Sequence, residues 1–315
     1  MSAFSPFRVV ICVAVWGVLS LGAHVAVAQT AADSQAIESL APPYSDSAVE
    51  FWSGQDVVPT FDGWKKNDDG TFTLVFGYFN RNYREELVIP PGPNNNLSPG
   101  NADQGQPTLF VPRREKWIFQ VKVPADFGDK ELVWTLTSHG RTEKATGKLI
   151  RQLYITDRLI ISKGNLSPGT DDPNQRPAIT ISPLADASVS RPLDLTALVA
   201  DDGLPKPRVQ KTVEGAQTNG VVRPINLTVK WIPYRGPAGV TFDAAKGVTV
   251  LSPDPTSSFQ TGIPFTRKAI QMVVTNGGTV TAQAHFTEPG TYVLIATADD
   301  SELTTPTTVT VDVAK

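Results

Sequence analysis

Short runs of alternating apolar and polar residues recur along most of this chain. They include residues 72–78, 117–123 and 132–136 in the first half and residues 193–199 and 292–298 in the second. Because successive side chains of a β-strand point to opposite faces, such runs indicate strands with one face against a core. Pro, Gly, Asn and Asp separate the runs, and no long run with a helical period stands out. The pattern predicts an all-β protein built from antiparallel sheets.

The first 28 residues differ in kind from the rest of the chain. Arg8 precedes a mostly apolar run, residues 9–21, and the stretch Ala-Val-Ala at 26–28 follows it. A charged start, an apolar middle and a small-residue cleavage site are typical of a secretory signal peptide. An uncleaved membrane anchor is the alternative. We therefore expect an exported protein, periplasmic or extracellular, that loses residues 1–28 and has no membrane span after cleavage.

The cysteine count and the net charge bear on how the mature chain is stabilised and on which partners it binds. Cys12 is the only cysteine, so a mature chain without residues 1–28 has to be stable without disulfides. The full chain has 28 basic and 31 acidic residues and a net charge of −3, and removal of Arg8 makes it one unit more negative. A mixed, mildly acidic composition without a basic stripe argues against a nucleic-acid partner.

The remaining chain divides into two β-rich blocks. Residues 29–50 are small and polar and are predicted to be a flexible leader, and the first block follows at 51–163. Residues 164–177 are rich in Pro, Gly and Asp, which is typical of a linker, and the second block is 178–315. A pair of packed sheets is the simplest way to bury strands of this pattern. We therefore predict two antiparallel β-sandwich domains in tandem.

Three residues of the second block, together with the Asp-Asp pairs at 201–202 and 299–300 that end two of its predicted strands, carry a family resemblance. Trp231 lies in a predicted strand, and Tyr292 follows a Glu-Pro-Gly turn and precedes Leu294 by two residues. In this order they resemble the immunoglobulin-like, PKD-like or cadherin-like sandwiches of bacterial surface proteins. The resemblance implies that all three are structural residues, and that the Tyr292 hydroxyl bonds nearby backbone in a tyrosine corner. The chain departs from antibody domains in lacking their bridging cysteines and in the additional residues 204–225.

The predicted strands 193–199 and 292–298 both end in acidic pairs. The pairs are Asp201 with Asp202 and Asp299 with Asp300. In an immunoglobulin-like topology the two strands run in the same direction, so their outgoing loops lie at one end of the sandwich. Ca²⁺ prefers such oxygen-rich clusters, and the four aspartates therefore form a predicted calcium site.

Ordinary turn chemistry is the alternative explanation of the same aspartates. Asp side chains cap turns by bonding their own backbone, and Asp-Asp-Gly is common in turns. In that case Lys206 or Arg208 could supply the compensating charge.

Residues 89–114 form a long segment crowded with Pro, Asn and Gly. Ordered loops of this length are uncommon without a function. One explanation is that the segment covers a sheet edge, with its Asn side chains bonding its own backbone. The other is that it binds a glycan or similar ligand, with Trp52, Trp64 and Trp117 as stacking surfaces. The ligand-binding candidates are then Asn94, Asn95, Asp103, Gln104, Arg113 and Arg114.

A wider resemblance covers residues 77–150. The sequences GYFNRN, GPNNN, DQGQPT and KELVWTLTSHGRTEKA within it are similar to a block of exported bacterial proteins of no assigned activity. The resemblance implies a bacterial source and no mechanism.

No catalytic motif stands out in the chain. It has no Gly-x-Ser-x-Gly elbow, no His-Glu-x-x-His and no phosphate-binding glycine loop. The histidines after residue 28, His139 and His285, fall in different predicted domains. We therefore predict a non-enzymatic binding, adhesion or scaffold protein of the bacterial cell envelope, with a protein or glycan partner. A carbohydrate-binding accessory protein using residues 89–114 and a purely structural spacer are the alternatives.

Overall fold

Residues Phe51–Lys315 form one compact unit. Within this unit, the computed structural model describes residues 51–164, 173–206, 227–251, 269–274 and 278–315. The predicted all-β fold of antiparallel sheets is confirmed. The predicted signal peptide, the leader and most of the linker lie outside the described residues, so the domain boundaries stay predictions. In the ranges given above, no helix is long and apolar enough to cross a membrane.

The first half of the unit contains two small sheets packed around an apolar core. Its strands are β1 (Val57–Lys66), β2 (Phe72–Asn80), β3 (Leu87–Val88), β4 (Asn95–Ser98), β5 (Leu109–Phe110), β6 (Arg113–Val123), β7 (Leu132–Ser138) and β8 (Arg141–Gly147). The sheet orders are β1-β2-β6 and β4-β7-β8, and β3 pairs with β5 alone. A 3₁₀ turn (Arg151–Leu153) and the short helix α1 (Asp157–Ile161) follow β8.

Trp134 of β7 lies at the centre of the first core. It is fully buried, and the ring centres of Phe76, Phe110 and Phe119 lie 6.1, 6.3 and 5.8 Å from its own. These separations are typical of packed aromatic rings. The alternation of apolar residues in β7 therefore directs Trp134 inward, as the sequence pattern predicts.

The second half is a sandwich of a six-stranded and a four-stranded sheet. Its strands are β9 (Ala178–Ile181), β10 (Ala187–Ser188), β11 (Leu193–Ala200), β12 (Thr228–Arg235), β13 (Val240–Ala244), β14 (Val250–Leu251), β15 (Ile270–Val273), β16 (Thr279–Phe286), β17 (Gly290–Asp299) and β18 (Thr304–Ala314). The orders are β10-β18-β17-β12-β15-β14 and β13-β16-β11-β9. The first strand is split: β9 pairs with β11 in one sheet, and β10 pairs in parallel with β18 in the other. This arrangement is immunoglobulin-like.

The three residues that carry the family resemblance lie in the second core. Trp231, Tyr292 and Leu294 are each 0% exposed. The Tyr292 hydroxyl donates to the Glu288 carbonyl at 2.9 Å, which is the bond of a tyrosine corner. Gly236 packs against the Tyr292 ring, and a Cβ at this position would lie 2.3 Å from the ring atom Cδ1. A glycine is therefore needed where the chain leaves β12.

Candidate functional site

The long segment 89–114 packs against the end of β12 in the second half. The Thr108 backbone N–H donates to the Tyr234 carbonyl at 3.0 Å, and the Tyr234 hydroxyl donates to the Gly105 carbonyl at 2.5 Å. The Gly236 N–H donates to the Thr108 hydroxyl oxygen at 3.0 Å. Thr108 is only 5% exposed, so these bonds are shielded from water. We call this contact, together with the ion pairs described next, the junction.

Two ion pairs extend the junction. Arg235 contacts Asp103 at 2.6 Å, and Lys230 contacts Glu115 at 2.7 Å. The Arg235 guanidinium holds the pKa of the Asp103 carboxyl below its ordinary value. Burial raises the pKa of the Tyr234 hydroxyl, which therefore stays protonated and able to donate at physiological pH.

A second set of contacts between the halves lies beside the end of α1. The Lys163 ammonium contacts the Asp299 carboxylate at 2.7 Å and donates to the Ser301 carbonyl at 2.9 Å. The Thr304 hydroxyl donates to the Ile161 carbonyl at 3.1 Å. The halves are therefore joined at two places, through β12 and through the turn between β17 and β18.

The acidic turns after β11 and β17 lie close enough to interact electrostatically. Burial raises the pKa of Asp300, and the negative charge of Asp201 raises it further. Burial and the neighbouring Asp202 also raise the pKa of Asp201. Two of the four predicted calcium ligands, Asp201 and Asp300, therefore interact electrostatically.

All four aspartates cap turns. Asp201 accepts from the Gly203 N–H and Asp202 from the Leu204 N–H, both at 2.9 Å. Asp299 accepts from Ser301, and Asp300 accepts from Glu302 and Leu303, at 2.6 to 2.7 Å. These bonds are the turn chemistry that the sequence offers as the alternative to a calcium site.

Lys163 supplies a positive charge at this end of the sandwich. The sequence offers Lys206 or Arg208 for that role, and Arg208 lies outside the described residues. Within the described part of the chain, no group of three or more His, Cys, Asp or Glu side chains is arranged to hold a metal ion. Calcium binding stays a prediction.

Of the six candidate ligand-binding residues, Asn95 and Arg114 serve the fold. Asn95 is 0% exposed; its amide donates to the Ile89 and Pro107 carbonyls, and its oxygen accepts from the Trp134 indole N–H. Arg114 donates to the Tyr78 carbonyl and forms an ion pair with Asp62.

The other four candidates lie at different places on the surface. Asp103 belongs to the junction, the Gln104 side chain bonds the segment's own carbonyls, Asn94 is exposed, and Arg113 stacks on Tyr83. Trp52 is 45% exposed, whereas Trp64 and Trp117 are half-buried. This placement favours the explanation in which residues 89–114 cover a sheet.

The two histidines lie in different halves, each beside one carboxylate. His139 is 3.1 Å from Glu85, and His285 is 3.1 Å from Asp243. The junction residues Lys230, Tyr234 and Arg235 are absent from the sequence-based candidates. The sequence signal that could have pointed to them is the end of β12, where the aromatic Tyr234 and the charged Arg235 follow the apolar middle of the strand.

Comparisons with known proteins give no family. No family model matches the chain, and no curated relative matches it. Among solved structures, a chimeric titin Z1Z2 carrying an exogenous KLER peptide from decorin is 11% identical, with 83% of this chain and 99% of that chain covered and a TM-score of 0.22. The D00-D0 domain of intimin is 10% identical, with 82% and 100% covered and a TM-score of 0.22. The Yersinia pseudotuberculosis adhesin InvE is 10% identical, with 82% and 58% covered and a TM-score of 0.20.

These TM-scores are far below the value at which two folds correspond. The class of the protein therefore follows from its own sheet order and tyrosine corner: it is an all-β protein with an immunoglobulin-like sandwich.

Proposed function

We propose that the protein is a non-enzymatic scaffold or adhesion protein of the bacterial cell envelope, exported by its N-terminal segment, whose two halves act as one stiff unit. The observation that supports this most directly is the junction, where Tyr234 bonds both Thr108 and Gly105. A scaffold or an adhesin has to hold its binding surfaces at a fixed separation, and a stiff connection does this.

The contacts between the two halves are individually weak, so they favour a fixed orientation of the halves over a strong attraction between them. Each hydrogen bond contributes on the order of 1 kcal/mol, and each partly exposed ion pair about 0.2–1 kcal/mol. Domains of one chain usually move relative to one another unless a substantial interface prevents it. Here the Lys163–Asp299 contact at the β17–β18 turn acts together with the junction at β12. Two separate attachments oppose rotation about either one.

The polar side chains also support a non-enzymatic role. His139 and His285 lie in different halves, and each has one carboxylate beside it. Each of the four aspartates at the end of the second sandwich has one carboxylate oxygen bonded to a turn N–H group.

Electron spin resonance distances test the stiff unit. The chain from Gln29 onward contains no cysteine, so Lys144→Cys in β8 and Leu198→Cys in β11, both exposed, can be spin-labelled cleanly. We expect one narrow distance distribution. Lys163→Ala combined with Arg235→Ala should broaden it, and Lys122→Ala, which breaks the exposed pair with Asp69, should not. A broad distribution in the unmutated chain would refute the proposal.

Two further measurements address location and binding. Cell fractionation with intact-mass analysis should find the protein outside the cytoplasm, beginning at Gln29. Retention in the cytoplasm at full length would contradict export. If immobilised protein retains no envelope component, the structural spacer replaces adhesion as the function.

A further inference from the structure

Arginine and aromatic side chains form a continuous surface on the first half. The Arg84 guanidinium lies 3.7 Å from the centre of the Trp52 ring, and the Arg113 guanidinium lies 4.0 Å from the centre of the Tyr83 ring. Arg113 also donates to the Arg81 carbonyl at 3.3 Å. We call this the arginine surface; its members are Phe51, Trp52, Arg81, Tyr83, Arg84, Arg113 and Arg141.

The backbone beneath the arginine surface is fixed by hydrogen bonds. The N–H groups of Tyr83 and Arg84 donate to the carbonyls of Phe51 and Trp52 at 2.9 and 3.0 Å. Asn82, which is 0% exposed, lies below and exchanges hydrogen bonds with the Gln55 backbone in both directions. The side chains are therefore displayed on a preformed support.

Positive charge exceeds negative charge on this surface. Arg81 and Arg141 approach the same oxygen of Asp56, at 3.2 and 3.9 Å, and Asp56 is 1% exposed. One buried carboxylate cannot neutralise two guanidinium groups. The other acidic residues next to Arg84 in the chain are Glu85, which already accepts from the Gly54 N–H and contacts His139, and Glu86, so four arginines stand beside three carboxylates. The whole chain is net negative, at −3, so this local excess is not a consequence of composition.

We infer that the arginine surface binds an anionic polysaccharide through the carboxylate or sulfate groups of its sugars. A guanidinium stacked on an aromatic ring is held in one orientation, and guanidinium groups pair well with planar or tetrahedral oxyanions. Phe51 and Trp52 are 50% and 45% exposed, so they offer apolar faces for the C–H face of a sugar ring. Charge and stacking together favour a charged sugar over a peptide.

This site shares Trp52 and Arg113 with the one that the sequence suggests and differs from it in its other members. Of the six candidates in and beside residues 89–114, only Arg113 belongs to the arginine surface. The inference rests on the proposed function for its setting, the cell envelope. It does not need the junction, so loss of glycan binding and loss of stiffness can be observed separately.

Binding to defined polymers tests the inference. The chain from Gln29 onward is titrated with polygalacturonate, dextran sulfate, neutral dextran and single-stranded DNA. We expect binding to at least one of the two charged polysaccharides, weakening with salt, and none to neutral dextran. The two charged polymers distinguish a carboxylate ligand from a sulfate ligand.

Matched variants locate the site. Arg84→Ala combined with Arg141→Ala should weaken binding by about tenfold or more, because charge-assisted hydrogen bonds are lost. Trp52→Ala should weaken it by about threefold. The control, Arg151→Ala with Arg158→Ala, removes the same charge from exposed positions elsewhere and should leave binding unchanged.

Equal weakening by the control, no binding to either charged polysaccharide, or tighter binding to the DNA would each overturn the inference. Unchanged interspin distances in the Arg84/Arg141 variant would show that the stiff unit is intact.

Discussion

Tyr234 and Gly105, which are 129 positions apart in sequence, are joined by a hydrogen bond of 2.5 Å from the tyrosine hydroxyl to the glycine carbonyl. Tyr234 is near the end of β12, and Gly105 belongs to the long segment between β4 and β5. The bond therefore couples the two halves directly. Together with the Asn95 bonds to the Ile89 and Pro107 carbonyls, it anchors a segment that is rich in Pro, Asn and Gly.

Tyr234→Phe should lower the free energy of unfolding by about 1–2 kcal/mol, because the Gly105 carbonyl loses a shielded partner. Urea unfolding followed by tryptophan fluorescence measures this. Tyr154→Phe is the matched control: Tyr154 is 50% exposed, and its loss of a hydroxyl should change stability by less than about 0.5 kcal/mol. Equal effects of the two substitutions would contradict a structural role for the junction.

The strands could be predicted from sequence because the alternation of apolar residues records local burial. Residues 292–298, for example, lie inside β17. Trp117 shows where this fails. Its predicted inward position in β6 is displaced by a register shift between β6 and β2, and its positive φ of 54° accompanies a bond from its N–H to Asp62. Asp62 is 55 positions away, so no local pattern could reveal the contact.

The candidate site was harder to predict than the fold because it too depends on contacts between residues that are far apart in sequence. The placement of Asp201 near Asp300 follows from strand direction, which topology supplies. The junction and the arginine surface instead depend on pairs such as Arg235 with Asp103 and Arg84 with Trp52. Each pair joins segments that alternation describes separately, and exposed arginines and aspartates have no periodic pattern to identify their partners.

Asn95 and Asn94 give a test of how residues 89–114 act. Asn95→Ala should destabilise the protein by about 3 kcal/mol or more, because it removes bonds to two carbonyls and to the Trp134 indole inside the core. The neighbouring Asn94 is exposed, and Asn94→Ala should change the free energy of unfolding by less than about 0.5 kcal/mol. Thermal unfolding of both variants gives the comparison. A mild effect at Asn95 with weakened glycan binding at Asn94 would favour the ligand-binding explanation of the segment.

Asp300 should make stability depend on pH in the opposite direction to an ordinary ion-paired carboxylate. Burial, and then the charge of Asp201, raise the pKa of Asp300 above its ordinary value of 3.8. The folded protein therefore holds this proton more tightly than the unfolded chain does, and the contribution of Asp300 to stability falls as pH rises through the raised pKa.

Asp300→Asn keeps the oxygen that accepts from Glu302 and Leu303 but removes the charge. We expect this variant to be more stable than the unmutated protein at pH 7 and equal to it at pH 3, where Asp300 is neutral. Denaturant titrations at the two pH values measure the difference. A variant that is less stable at pH 7 would show that a positive group already compensates the Asp300 charge.

A bound Ca²⁺ would be such a positive group, and variants of Asp201 and Asp300 test the calcium prediction. Burial is the main cause of the raised pKa values of Asp201 and Asp300, and the charge of Asp201 adds to the second. A cation held between the two carboxylates would offset both effects, and oxygen ligands of this kind suit Ca²⁺. Binding to the folded state alone would add about 2.7 kcal/mol of stability at a free Ca²⁺ concentration one hundred times the dissociation constant. Melting curves in millimolar Ca²⁺ and in chelator measure the shift, and Asp201→Asn with Asp300→Asn should abolish it. Asp194→Asn, at an exposed position of β11, is the control and should retain it. Identical melting temperatures with Ca²⁺ and with chelator would contradict the calcium site and leave the four aspartates with turn capping and, for Asp299, the contact with Lys163.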